Sequence, residues 1–196
     1  MEYLFALSSL PDYEIVIWSW KNGDKLASQK TGVISLHQSF RCSPISPPVI
    51  CQMAEDSKEI VFWEVHTCYK KCLLTRINFE IDTATPPCRI TWSPDGILFV
   101  VDSKGLFFMV EIDKRKLQYI FSWTSDHYDI IPCISWYKGG IVGSGPDGTV
   151  KHLKRTGTTE WEIAFAVIPD ETFTTIATCI GKDHLITLTN TVYPYW

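Results

Sequence analysis

Four apolar segments recur along the chain at a step that hardly changes: Ile15-Val16-Ile17-Trp18, Ile60-Val61-Phe62-Trp63, Leu106-Phe107-Phe108-Met109 and Val150-Lys151-His152-Leu153. Their last residues lie 45, 46 and 44 positions apart. An aspartate precedes each segment, and Asp12, Asp56, Asp102 and Asp147 are themselves 44, 46 and 45 apart. Two markers holding one step through four copies constrain the fold more than any composition does. Each copy must be one supersecondary unit that cannot bury its apolar face alone and stacks on the next.

Turn signals cut each unit into short strands. The third unit divides into Cys88–Trp92, Ile97–Val101, Leu106–Ile112 and Leu117–Trp123, separated by Ser93-Pro94-Asp95-Gly96, Asp102-Ser103-Lys104-Gly105 and Asp113-Lys114-Arg115-Lys116. The fourth gives Cys133–Trp136, Ile141–Gly143, Thr149–Leu153 and Trp161–Val167. The second gives Val33–Phe40, Val49–Met53, Glu59–Val65 and Tyr69–Ile77, with Pro44, Pro47 and Pro48 marking a surface turn because proline cannot donate to a ladder. The first unit starts inside the pattern with Tyr3–Leu7, and the last has two strands, Thr174–Ile180 and His184–Leu188. Four strands in about 45 residues make one β-propeller blade. The expectation is an all-β chain of WD40-like blades, three full and two partial, at about 1–30, 31–78, 86–124, 131–168 and 172–196. A ring closes with about four to eight blades, so the ring is expected to be incomplete, with an apolar face open at each end. A fragment of a longer propeller is the favoured explanation.

The residues resemble those of WD40 repeats. The chain carries Trp92-Ser93-Pro94-Asp95-Gly96 after a first strand, Asp12, Asp56, Asp102 and Asp147 in second turns, and Trp18 and Trp63 closing third strands. His127 stands nine residues before Trp136, where that family places a histidine. The resemblance implies that His127, the turn aspartate and the strand tryptophan join one hydrogen-bonded network. Leu153 replaces the tryptophan in that unit, so His127 and Asp147 can form only part of it. The run Leu4-Phe5-Ala6-Leu7-Ser8-Ser9-Leu10-Pro11-Asp12-Tyr13-Glu14-Ile15-Val16-Ile17-Trp18 is similar to segments of the large cilia- and flagella-associated WD-repeat proteins. That resemblance implies a non-catalytic structural part of the axoneme, of the tether and tether-head type that anchors dynein to doublet microtubules. Its partners would be axonemal WD-repeat proteins, a dynein arm or tubulin.

Charge and composition set limits on other functions. A net charge of −4, with acids interspersed among short basic clusters, lacks the dense basic stripe that phosphate neutralisation needs, so no nucleic acid is expected as a partner. No stretch reaches the roughly 18 uninterrupted apolar residues of a membrane span. The acidic start Met1-Glu2-Tyr3-Leu4-Phe5 is unlike a secretory signal. The seven cysteines are odd in number and lack compact disulfide spacing. Cys88 and Cys133 recur at the same strand position and read as small buried hydrophobes. The chain is therefore expected to be soluble and intracellular, in the cytoplasm, and the resemblance to cilia- and flagella-associated proteins implies the cytoskeleton of the axoneme in a cilium or flagellum.

His66, Cys68 and Cys72 are even-numbered, so on one extended strand they would share a face, but a structural zinc site needs four ligands and no second pair lies nearby. The glycine-rich run Gly139–Gly148 places Pro146-Asp147 where a phosphate loop needs Lys-Ser/Thr, and it reads as a hairpin. Ser125-Asp126-His127 is too local for a catalytic triad, whose members converge from distant positions. No catalytic residue, metal or cofactor is expected, and the chain is read as a non-enzymatic scaffold for protein–protein contacts. A general intracellular WD40 adaptor for peptides or proteins is the alternative. Tyr13, Tyr128, Tyr137, Tyr193, Tyr195 and Trp196 are the candidate contact aromatics.

Overall fold

The computed structural model describes residues 3–54, 56–68, 71–77, 85–114, 116–123, 133–144, 149–157, 160–167, 175–180 and 184–189. Seventeen strands and no helix occur among them. Every sheet is an antiparallel meander. Blade 1 holds β1 (Tyr3–Leu7), β2 (Glu14–Ser19) and β3 (Lys25–Lys30). Blade 2 holds β4 (Gln38–Cys42), β5 (Val49–Ala54), β6 (Ile60–Cys68) and β7 (Lys71–Ile77). Blade 3 holds β8 (Pro87–Trp92), β9 (Leu98–Asp102), β10 (Leu106–Glu111) and β11 (Lys116–Ser122). Blade 4 holds β12 (Cys133–Tyr137), β13 (Gly140–Ser144), β14 (Val150–Arg155) and β15 (Trp161–Val167). Blade 5 pairs β16 (Thr175–Ile180) with β17 (His184–Thr189). The architecture is all-β, built of propeller blades, three of them four-stranded and two partial.

The blades fall into two compact units, Met1–Pro86 with Pro94–Gly96, and Pro87–Ser93 with Ile97–Trp196. In the first, the alternation of a pleated strand turns Ile15 and Ile17 of β2 to one face, where they are buried against Ile50, Val61, Trp63, Val65 and Leu74 of blade 2. In the second, Phe99, Val101, Phe107 and Met109 of blade 3 meet Ile134, Ile141 and Leu153 of blade 4. Phe99 stacks on Trp136 at 5.7 Å and meets Trp161 edge-on at 5.6 Å. The Trp136 backbone N–H also donates to Thr91 Oγ1 across the two blades, at 3.3 Å.

This packing corrects the fourfold register. Trp63 and Leu153 each face the preceding blade of their own unit, whereas Met109 faces the following one and shares a core with Leu153. A shift of one residue turns a strand side chain to the opposite face. Phe108 and Val110, not Met109, occupy the side of blade 3 that corresponds to Trp63.

The first strand of blade 2 begins at Gln38, not Val33. Thr31 to His37 lie outside the strands, and there the Val33 and His37 N–H groups and the Val33 and Ser35 carbonyls bond to side chains, so the apparent alternation belongs to a loop. The hairpin of blade 4 is tight because Lys138 and Gly139 both have positive φ, 43° and 78°, the conformation a two-residue primed turn requires. Cys88 and Cys133 are buried, as strand-borne small hydrophobes should be. Burial raises the Cys42 thiol to about 11 and also pushes Cys51 and Cys72 upward, so none is poised as a thiolate.

A polar relay and a braced rim

The hairpins close with a recurrent serine. Ser8, Ser43 and Ser93 each donate the backbone N–H to the carbonyl of the residue opposite (Glu14, Val49 and Ile97) at 2.8, 2.8 and 2.9 Å. Each Oγ then accepts that same residue's N–H, at 2.8, 2.8 and 2.9 Å. A hydroxyl one residue past the strand thus replaces a carbonyl that the turn has carried away. Asp102 performs the same task with a carboxylate: its Oδ1 accepts the N–H of Lys104 and of Leu106, both at 2.9 Å, and its side chain is fully buried. By position in the hairpin the counterpart of Asp102 in blade 1 is therefore Ser8. Asp12 and Asp56 sit exposed on their turns. The even spacing of the aspartates hides two different roles.

The tryptophans divide as well. Trp63 is 2% exposed and Trp18 is 36% exposed, beside its ladder partner Leu4 at 47%. The Trp63 indole N–H donates to Gln52 Oε1 at 3.0 Å. Gln52 is wholly buried, and its Nε2 donates to Gln38 Oε1 at 2.6 Å. Gln38 Nε2 in turn donates to the carbonyls of Val33 and Ser35 at 3.0 and 2.8 Å. An indole N–H can only donate, so it fixes the orientation of Gln52, which fixes that of Gln38. The two glutamine amides carry that polarity from the blade core to the backbone of loop 31–37.

Thr31 and Ser35 complete the bracing. Thr31 Oγ1 accepts the Val33 N–H at 3.1 Å, and Ser35 Oγ accepts that of His37 at 3.1 Å. The Thr31 N–H donates to Tyr13 O at 2.9 Å, tying the loop to turn 8–13. Gln38 pairs with Ala54 at the end of β5, so turn 56–59 lies at the end of the sheet where the loop enters it. Turn 8–13, loop 31–37 and turn 56–59 form one rim of the first unit. Ile34 (81% exposed), Leu36 (64%) and Leu10 (63%) project from it.

Of the residues singled out in the sequence, the structure brings Trp63 into a buried network with Gln52 and Gln38, and Asp102 into a turn of its own. His127, Asp147 and the Ser125-Asp126-His127 run lie outside the described residues, as do Tyr128, Tyr193, Tyr195 and Trp196. Tyr13 is half-buried at a positive φ of 47°, and Tyr137 packs its ring on His152 at 5.7 Å. The same-face expectation for His66, Cys68 and Cys72 does not survive the hairpin register. Cys72 pairs with Thr67, so it shares the face of Thr67 and lies opposite His66 and Cys68. His66 Nε2 instead lies 3.3 Å from Glu64 Oε2. Among the described residues no three His, Cys, Asp or Glu side chains gather as metal ligands. The glutamine relay was missed because a glutamine in a strand carries no motif. Its trace in the sequence is the pair Gln38 and Gln52 flanking a turn ahead of a strand tryptophan.

No protein-family model matches the sequence. A comparison with curated proteins also finds no match. Solved structures are similar in fold. The complex of KlAtg21 with the coiled-coil of AgAtg16 is 14% identical, with a TM-score of 0.60 over 85% of this chain and 54% of that one. The β-propeller domain of Myceliophteria thermophila Cps50 (Swd1) is 10% identical, with a TM-score of 0.51 over 84% of this chain and 56% of that one. The chain spans about half the length of these two structures. At these identities the likeness concerns the fold, which is that of WD40-like propeller blades.

Proposed function

We propose that this chain is a non-enzymatic scaffold whose blades present a rim to other proteins. The observation that carries the reading is the braced rim, where buried polar groups are spent on holding a loop that exposes large aliphatic side chains. A catalytic site would need titratable groups converging on a cleft. The described acids and histidines are dispersed, and the shifted cysteines are shifted by burial alone or nearly so. That a structure of similar fold contains KlAtg21 with a coiled-coil supports a protein as the ligand class. The test is affinity purification of the endogenous protein at native abundance: a stoichiometric protein partner is expected, and a chain that elutes alone at every salt concentration sinks the reading. Turnover of a small-molecule substrate by the purified chain would overturn the non-enzymatic part.

Within this reading the Leu4–Trp18 segment supports an axonemal setting, because it is similar to segments of cilia- and flagella-associated WD-repeat proteins. The partners would then be axonemal WD-repeat proteins, a dynein arm or tubulin, in the cytoplasmic cytoskeleton of the cilium. Immunofluorescence on ciliated cells decides it. Signal along the axoneme is expected, and a diffuse or nuclear signal favours the general adaptor.

A further inference from the structure

We infer that β1 is an acceptor edge: an extended segment of a partner protein adds to blade 1 as a fourth strand, antiparallel to β1, with apolar side chains at alternate positions. The inference rests on the scaffold reading and adds to the rim a second surface of different chemistry.

Blade 1 is one strand short of blades 2, 3 and 4. By its place in the meander β1 corresponds to β5, β9 and β13. In those blades a further strand, β4, β8 or β12, pairs with the other edge. Cys51, Gln52, Val100 and Val142 of the covered strands are wholly buried. None of Tyr3–Leu7 is buried, and Leu4 is 47% exposed. The segment Tyr3-Leu4-Phe5-Ala6-Leu7 nevertheless carries no charge and no proline, the usual means of blunting an edge.

The ladder fixes which groups are left over. The Ser8 N–H donates to Glu14 O, toward β2. Directions alternate along an antiparallel strand, so the Leu4 and Ala6 N–H groups also go to β2, and the N–H and C=O of Phe5 and Leu7 point to the open edge. Their counterparts in blade 2, Cys51 and Met53, are matched to Arg41 and Ser39 of β4. Among the described residues no strand is matched to Phe5 or Leu7 on that side.

The floor of the gap defines the occupant. Blade 2 runs one strand further than blade 1, and Phe40 and Cys42 of that strand are half-buried against the core that Phe5 and Leu7 also join. Gln38, the remaining side chain on that face, is already bonded to Gln52 and to the loop. Arg41 lies on the opposite face. The shelf is therefore apolar and one strand wide. It takes a single strand with apolar residues toward Phe40 and Cys42 and polar ones on the face that Leu4 shows to solvent. A second copy of this chain would bring β2 and β3 along with its β1, which that width does not admit. The described strands of this chain are each held in their own blade, so the donor is another protein.

Hydrogen exchange on the full chain gives the first test. In the chain alone the Phe5 and Leu7 amides should exchange at least about tenfold faster than those of Leu4 and Ala6. Equal protection of all four would mean that the edge is already covered, and overturns the inference. The second test places a diazirine-bearing aliphatic amino acid at position 4 of the full chain in cells and maps its crosslinks by mass spectrometry. Crosslinks are expected on one protein, in a run of about five residues that alternates apolar and polar. The same probe at Gln29, exposed on β3, should not reach that run. Ala6→Lys, on the solvent-facing side of β1, should lower the yield about tenfold. Unchanged protection of the Ile15 and Ile17 amides in that variant checks that the blade is intact. Crosslinks scattered over proteins by abundance, falling on a run without alternation, or confined to a second copy of this chain overturn the inference. So does an undiminished yield from the intact Ala6→Lys blade. If position 4 is silent while the chain still co-purifies a stoichiometric partner, the acceptor edge fails and the scaffold reading stands. If no partner co-purifies at all, both fail.

Discussion

Blades 1 and 2 carry the same tryptophan, 45 residues apart, and treat it in opposite ways. Trp63 packs into the core of the first unit and anchors the polar relay, while Trp18 lies on a face with Leu4 that is open to solvent. The difference does not come from the residue or its place in the strand. It comes from what lies across from it: Trp63 looks onto Ile15 and Ile17 of blade 1, and Trp18 looks outward. A repeat residue becomes structural only when a neighbouring blade covers it.

The largest expected effect is at that contrast. Trp63→Ala should cost about 4 kcal/mol, because it opens a cavity among Ile15, Ile17 and Ile50 and leaves Gln52 Oε1 without its donor. Trp18→Ala should cost less than about 1 kcal/mol, as exposed side chains do. Chemical denaturation of both variants measures the gap. Equal costs would mean that the Trp18 face is covered in solution and that the contrast between the blades is false.

Gln52→Leu comes next, at about 2 kcal/mol. The shape is nearly kept, but the Trp63 N–H and Gln38 Oε1 lose their partners in a buried site. The change should be felt at a distance: amide exchange at Val33 and His37 should speed up, since Gln38 no longer has a fixed orientation. If exchange in the loop is unaltered, the relay does not hold the rim.

A smaller effect separates the aspartates. Asp102→Ala removes the acceptor of two turn N–H groups and should cost about 1–2 kcal/mol. Asp12→Ala and Asp56→Ala should stay within about 0.5 kcal/mol, since neither is buried. Similar losses at all three, read from thermal midpoints, would restore the single role that the spacing suggests.

Blades were legible in the sequence because their signals are local. The step between copies, the Ser93-Pro94-Asp95-Gly96 turn and the continuous apolar run Ile97–Val101 that it bounds depend on neighbours in the chain. What the sequence hides is which face of a strand meets another blade, and so it assigns Met109 to the wrong side. It likewise reads Val33–Phe40 as one strand, because Val33, Ser35 and His37 alternate with Ile34 and Leu36 in a braced loop as they would in a ladder. The rim escaped for the same reason: its anchors look like core residues until the hydrogen bonds of Gln38 are seen.

The smallest effect tests whether the relay of blade 2 and the corresponding region of blade 4 respond differently to acid. In blade 4 Leu153 replaces the tryptophan, and the polar residue beside it, on the other face, is His152. Its ring is buried between Tyr137 and Phe165, at 5.7 and 5.1 Å, and Nε2 lies 3.1 Å from the Tyr137 carbonyl. A carbonyl only accepts, so the neutral ring carries its proton on Nε2. Burial lowers the affinity of this ring for a second proton, the Tyr137 carbonyl opposes that, and Lys154 reinforces it. The folded-state value is thus below the ordinary 6.5, and the unfolded chain binds the extra proton first. The contribution of His152 is present above about pH 6.5 and is lost as the pH falls below it. Glutamine does not titrate, so the relay of blade 2 keeps its strength over the same interval. Hydrogen exchange compared between about pH 7 and about pH 5, corrected for intrinsic rates, should show protection falling in β13 and β14 before β5 and β6. His152→Gln should abolish that order, because it keeps a donor for Tyr137 O and removes the titration. Acid loosening of β5 and β6 first would show that the blade with the polar relay is the weaker one.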